Sequence, residues 1–258
     1  MFFCSEAYVL NKEKIGEKDL LLELLTPSGK ILSIAKGAQK SKRRFVNVLE
    51  EFNFIYAHFR KKGQEEIPIL EVADLKYLPE NLRKDYSKFL LFSYINEVLS
   101  QVSYPKLEVE YFFWIKEFLK LVNELSLEST FKVKALEILK SYFEWNFMGF
   151  LGWKPQLDYC VSCYRVIQRL YYFSIPLGGI LCINCKDGES FLLDQGVIEL
   201  LRKFIKIPIN LKEFLSMLTL SEVKTLIELG EKYVSYFLSY KGKSLRILKE
   251  ALSNGKIS

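Results

Sequence analysis

Residues 157–188, LDYCVSCYRVIQRLYYFSIPLGGILCINCKDG, hold four of the five cysteines of this 258-residue chain, arranged as two Cys-x-x-Cys pairs. The spacing Cys160-x2-Cys163-x18-Cys182-x2-Cys185 suits a four-thiolate site, because each pair can place two sulfurs on one side of a tetrahedron. Between the pairs Leu170–Ser174 is β-prone, Gly178-Gly179 turns the chain, and Ile180-Leu181 leads back. A hairpin of this kind brings both knuckles to one metal, the geometry of a zinc ribbon. Three uses of such a site stay open: a structural zinc, a rubredoxin-like iron, and thiol exchange. A closed shell of four protein thiolates leaves no position for an activated water, which argues against catalytic zinc.

On either side of this module the apolar residues follow helical spacing. Asp85–Gln101, the run Tyr111, Phe112, Ile115, Phe118, Leu119 and Val122, and Phe131–Met148 with Ser129 as N-cap read as three helices forming a bundle. Asp194–Lys206, Leu211–Leu218 and Ser221–Tyr240 read as three more, so the module is inserted within a helical domain. Ser253–Ser258 is expected to fray.

Residues 1–78 read instead as short strands. Leu20–Thr26 and Lys30–Ala35 flank Pro27-Ser28-Gly29, a hairpin turn; Phe52–Phe59 and Ile67–Leu75 flank a second polar break. Five such strands suggest an OB-fold barrel. The expected architecture is therefore α+β, an N-terminal OB-fold β-barrel at 1–78 and a helical domain at 79–258 carrying the four-cysteine zinc ribbon at 157–188.

Charge is uneven along the chain. Overall, 37 basic against 31 acidic residues give +6. Lys36, Lys40, Lys42, Arg43 and Arg44 fall within nine residues that hold no acid, between two strands of the barrel. Such a loop is either solvated or a phosphate contact, and its place on a barrel with an adjoining strand face and rings for stacking favours single-stranded nucleic acid. The ribbon is a weaker candidate. Four thiolates around a divalent ion sum to about minus two, offset locally by Arg165, Arg169 and Lys186. With one histidine, His58, the chain has no C2H2 finger; His58 is read as structural, and Cys4 as a small core or edge residue. Basic groups at Arg202, Lys203, Lys206 and Lys212, and at Lys241, Lys243 and Arg246, read as solvated helix faces. Glu50-Glu51 and Glu65-Glu66 read as solvated edges.

Enzyme signatures are missing: no Walker loop, GxSxG elbow, HExxH or Gly-x-Gly occurs. No stretch is long and apolar enough to span a bilayer, and the start lacks the pattern of a signal peptide, so a cytoplasmic protein free of membrane is expected.

Ile15-Gly16-Glu17-Lys18-Asp19, Thr26, Gly29 and Ala35-Lys36-Gly37-Ala38 followed by basic residues resemble the OB-fold signature of the RecO family of DNA repair and recombination mediators. Independently, Cys160-x2-Cys163, Phe173-Ser174, Gly178-Gly179 and Leu181-Cys182-x2-Cys185 are similar to that family's zinc module. Two positions depart: Tyr164 stands where many knuckles have glycine, and Glu51 where members often have proline before phenylalanine. The resemblance implies a non-enzymatic protein, a monomer on its own and associated with the nucleoid. Its implied actions are to bind single- and double-stranded DNA, to anneal complementary strands, and to help RecR load RecA onto DNA coated by single-strand-binding protein. Contact with the C-terminal tail of that protein and one structural Zn2+ are also implied. A rubredoxin-like electron carrier and a zinc-ribbon protein adaptor are the alternatives.

Overall fold

The structure, a computed structural model, describes residues 1–63, 67–102, 109–126, 129–206, 217 and 221–253. The expected helix at Leu211–Leu218 and the pair Glu65-Glu66 lie outside these residues, apart from Met217. Five strands, β1 (Phe2–Ile15), β2 (Asp19–Thr26), β3 (Gly29–Ala35), β4 (Phe54–Arg60) and β5 (Ile69–Tyr77), close into an OB-like barrel in the order β1-β2-β3-β5-β4. β1 is longer than the short strands expected. Its first half pairs with β4 (Phe2↔Arg60 to Tyr8↔Phe54) and its second half with β2 (Lys14↔Leu20). Alternate residues turn inward to a core that includes Ala7, Val9, Leu22, Leu24, Ile55, Ala57 and Phe59.

At the β2–β3 turn Thr26 pairs with Gly29, which takes φ +114°, and the Thr26 hydroxyl donates to the Gly29 carbonyl at 2.8 Å. Between β3 and β4 the chain folds back under the barrel, with Ala38, Phe45 and Leu49 in the core. Phe52 has φ +73° and precedes β4 instead of starting it. Its N–H donates to Val9 O at 3.0 Å.

Compactness groups Met1–Leu125 with Ser244–Ala251 in one unit and places Ser126–Lys243 in another. In the first unit the helices α1 (Tyr86–Gln101) and α2 (Val109–Glu124) lie against the barrel. Asp85 caps α1, its carboxylate accepting the N–H groups of Ser87 and Lys88. Phe52 meets Phe89 and Phe92 edge-on at 5.6 and 5.8 Å, and the Tyr8 hydroxyl donates to Asn96 at 2.7 Å. The Lys88 ammonium donates to the carbonyls of Asn123 and Leu125 at the end of α2, where a cation also complements the negative end of the helix dipole. The apolar stripe of α2 is thus satisfied by rings such as Phe54, 6.3 Å from Phe112, while α3, the third helix of the expected bundle, falls in the other unit. The C-terminal helix α6 (Lys243–Ser253), which the sequence patterns do not announce, joins this unit through Ser244, which donates to Glu97.

The second unit contains α3 (Ser129–Phe150), a three-stranded sheet, α4 (Gln195–Phe204) and α5 (Glu222–Leu238). α3 begins at Ser129 itself. The sheet, in the order β7-β6-β8, consists of β6 (Tyr171–Ser174), β7 (Gly179–Leu181) and β8 (Phe191–Leu193); the β6–β7 hairpin matches the expectation, and β8 adds a strand to it. Trp145, Phe173 and Tyr233 stack α3, β6 and α5 together, with centroids 5.1 to 6.2 Å apart. Lys140 is buried in the same interior between Glu144 at 2.9 Å and Glu231 at 3.0 Å.

Candidate metal centre and nucleic-acid interface

The four cysteines converge. All four Sγ atoms lie within 4.8 Å of one another, and none forms a disulfide. Cys163 Sγ and Cys182 Sγ are 3.8 Å apart. A regular tetrahedron of sulfurs about 2.3 Å from a central ion has edges of about 3.8 Å, so the spacing fits a metal ion held by four thiolates. Backbone contacts set this up. The first knuckle is closed by Tyr164 N–H to Cys160 O at 2.8 Å, the second by Cys185 and Lys186 N–H to Cys182 O at 3.0 Å. Val161 N–H donates to Ile180 O, which ties one knuckle to the strand entering the other. That approach requires Gly179, where a Cβ would lie 2.7 Å from Gln156 O and 2.6 Å from Val161.

The thiols are unequal. Burial works against the Cys160 thiolate, yet the N–H groups of Cys182, Cys163 and Ser162 outweigh it and bring its pKa down to about 6. Cys185 accepts a favourable hydrogen bond from Ser162, but Cys163, Cys182 and Cys160 push it up to about 12. Four sulfurs this close cannot all ionise unaided, and a divalent cation is the partner that lets them. Tyr164 keeps the knuckle geometry by entering the left-handed region at φ +60°, with its side chain 74% exposed and its ring 5.9 Å from Tyr159. Arg202 is not simply a solvated face: its guanidinium donates to Leu157 O at 2.5 Å, just before the first knuckle.

On the barrel, Lys36, Lys40, Lys42, Arg43 and Arg44 are all exposed on one loop. Its base is fastened. Gly37, at φ +69°, donates its N–H to the Asp19 carboxylate at 2.7 Å. Gln39 donates from its backbone to Lys18 O and from its side chain to Asp19 O. Arg44 differs from the other four: its guanidinium donates to Lys36 O at 3.0 Å and Glu71 O at 3.4 Å and lies 5.0 Å from the Phe45 ring centroid. It staples the loop while leaving part of its charge outside.

Sequence matches now decide the family. The description "Recombination protein O N terminal" matches residues 1–78, and "Recombination protein O C terminal" matches residues 83–245. The chain belongs to the RecO family. It is 32% identical over 206 residues to a DNA repair protein RecO of Thermoanaerobacter sp. strain X514, covering 78% of this chain and 79% of that one. It is 30% identical over 257 residues to that of Syntrophus aciditrophicus strain SB, covering 95% of each. RecO proteins are non-enzymatic mediators of DNA repair and recombination. No helix among the described residues is long and apolar enough to cross a membrane.

Several residues of this RecO-family barrel have neighbours that the sequence does not announce. Cys4 is exposed, 3.0 Å from the Tyr56 hydroxyl, and His58 stands opposite it across the ladder. His58 faces solvent, its ring edge-on to Tyr56 at 5.3 Å. The Cys4 contact, burial and Glu6 hold the Tyr56 phenol above its ordinary pKa. Glu50 is not merely solvated, since it pairs with Lys12 at 2.5 Å, and burial raises the Glu51 carboxyl. Asp19 stands out in the sequence only as one position of a family pattern. Its role as anchor depends on two strands meeting, which no local spacing signals.

Proposed function

We propose that this protein is a DNA-binding recombination mediator. In this reading it binds single- and double-stranded DNA, anneals complementary strands, and assists RecR in loading RecA onto DNA coated by single-strand-binding protein, whose C-terminal tail it also contacts. Residues 1–78 form its OB-fold nucleic-acid-binding domain and 79–258 its helical domain. It works in the cytoplasm at the nucleoid, as a monomer when apart from its partners.

One observation carries the reading: the Asp19–Gly37 contact holds a loop from which Lys36, Lys40, Lys42 and Arg43 project unpaired by any nearby acid of that loop. Annealing requires that repulsion between two phosphate chains be neutralised, and positioned cations do this with no chemical step. Cys160, Cys163, Cys182 and Cys185 would hold one structural Zn2+, whose chemistry there is cross-linking of the chain. A strand-annealing assay on the purified protein tests the reading. Annealing that is lost in Lys42→Ala/Arg43→Ala supports it, and a protein that neither binds nor anneals DNA overturns it. Metal analysis of the same sample should give one zinc in a colourless protein, whereas a visible charge-transfer band would favour the rubredoxin-like alternative.

A further inference from the structure

Nucleic acid ordinarily crosses a barrel of this type on the face of its second and third strands. Here β2 and β3, DLLLELLT and GKILSIA, contain no aromatic residue. Their outer face presents Leu21 opposite Ile34 and Leu32 opposite Glu23. Aliphatic side chains offer a base no π-face, so the usual platform has lost its stacking partners.

The rings lie elsewhere. Along β4, Ile55, Ala57 and Phe59 enter the core, which turns Tyr56, His58 and Arg60 outward. On β1, Ala7 and Val9 are in the core, which turns Phe2, Cys4 and Glu6 outward, and the register sets Phe2 opposite Arg60 and Glu6 opposite Tyr56. Phe2 is 76% exposed, and Lys76 of β5 reaches to 5.4 Å from the Tyr56 ring centroid. Further along, the face closes: Lys116 of α2 pairs with Glu6 at 2.7 Å, and beyond it Tyr8 and Phe54 are buried.

This open face is joined to the basic loop through Glu71. Its carbonyl accepts from Arg44 and its carboxylate from Arg60 at 2.5 Å, so the two arginines sit either side of one residue. Glu6 and Glu71 are both engaged by cations, and exposed Asp74, opposite Tyr56, has Lys76 two residues on.

We propose that a DNA single strand leaves the basic loop at Arg44, passes Arg60, and crosses β4 and β1 with its bases stacked on Tyr56, His58 and Phe2, leaving the β2–β3 face uncovered. Aromatic rings interleaved with cations are what fit an unpaired strand, since duplex DNA exposes no base face to stack. The inference rests on the DNA-binding reading above and specifies its path.

The test is fluorescence-anisotropy titration of a labelled oligo-dT strand against the full chain over a range of salt. Tyr56→Leu/His58→Leu should weaken binding about tenfold or more, while the slope of log affinity against log salt is nearly unchanged, because the lysines and arginines that meet phosphate all remain. Leu32→Ala should stay within about twofold of the parent, and Tyr56→Phe, which keeps the ring and loses the Cys4 contact, should bind fully. In case the double variant does not fold, cross-linking of iodouridine-substituted strand to the unaltered protein should mark Tyr56, His58 or Phe2. Binding by the folded double variant within twofold of the parent, or cross-links confined to other surfaces, overturns the path. If Lys42→Ala/Arg43→Ala still loses binding in that event, the DNA-binding reading survives the loss of this one.

Discussion

The Asp19 carboxylate accepts the backbone N–H of Gly37 at 2.7 Å, so an acidic side chain holds the basic loop in place. Two effects of Asp19 on DNA oppose each other: its charge repels phosphate, and its hydrogen bond positions the cations that attract it. If position dominates, Asp19→Ala weakens DNA binding although it makes the protein more positive. Asp19→Asn, whose amide oxygen can still accept from Gly37, should bind at least as well as the parent. Affinity measured for both variants checks this, and Asp19→Ala should also cost about 1.5 to 3 kcal/mol of stability, the usual value of a hydrogen bond to a charged group.

Gly37 offers an independent check on the same loop. At φ +69° a side chain is strained, and the nearest atom to a built Cβ is Arg44 Nη2 at 3.9 Å, so space is not the difficulty. Gly37→Ala should destabilise by about 1 to 2 kcal/mol from backbone conformation alone, measured by denaturant unfolding.

At the metal centre, Tyr164 bears the conformation that glycine takes freely. Relief of about 1 to 2 kcal/mol of left-handed strain exceeds the extra chain entropy that glycine loses, about 0.5 to 1 kcal/mol. Tyr164→Gly should therefore raise stability slightly and leave metal affinity, read by chelator competition, equal or tighter. By contrast Cys160→Ser removes a ligand and should lower stability by several kcal/mol, because metal binding is coupled to folding.

The buried Lys140 gives a pH signature. Burial lowers its pKa, but Glu144 and Glu231 more than offset this and raise it above 10.5. A lysine raised on folding contributes stability that is complete below its unfolded pKa and is lost as pH rises through the folded value. The parent should lose this contribution above about pH 10.5. Lys140→Met should lack that alkaline loss and be less stable at neutral pH by about 3 to 5 kcal/mol, since its carboxylate partners stay buried. Unfolding free energies of both proteins across the alkaline range check it.

Features set by neighbours along the chain are legible in the sequence alone. Pro27 to Gly29 marks the β2–β3 turn, Asp85 stands at the start of α1, and the cysteine spacing predicts one four-sulfur cluster. Features that arise when distant segments pair are not legible in this way. β1 bends to serve two partners, so Cys4 meets His58 and the rings gather on β4–β1. Short β8 has only Phe191–Leu193 to announce it. Arg44 reads as one more loop cation, and only the carbonyls of Lys36 and Glu71 reveal it as a staple.

That distinction matters for choosing variants. Arg44→Ala should lower stability as well as affinity, whereas Lys42 and Arg43, exposed on the same loop, can be removed with the fold intact. Thermal unfolding of the single variants separates the two effects.

Contact of Lys42 and Arg43 with phosphate is read out by the salt dependence of single-strand affinity. Each phosphate contact contributes about 0.7 to the slope of log affinity against log salt on single strands. Lys42→Ala/Arg43→Ala should weaken binding at low salt and flatten that slope by about 1.4. An unchanged slope with unchanged low-salt affinity would show that Lys42 and Arg43 do not meet phosphate.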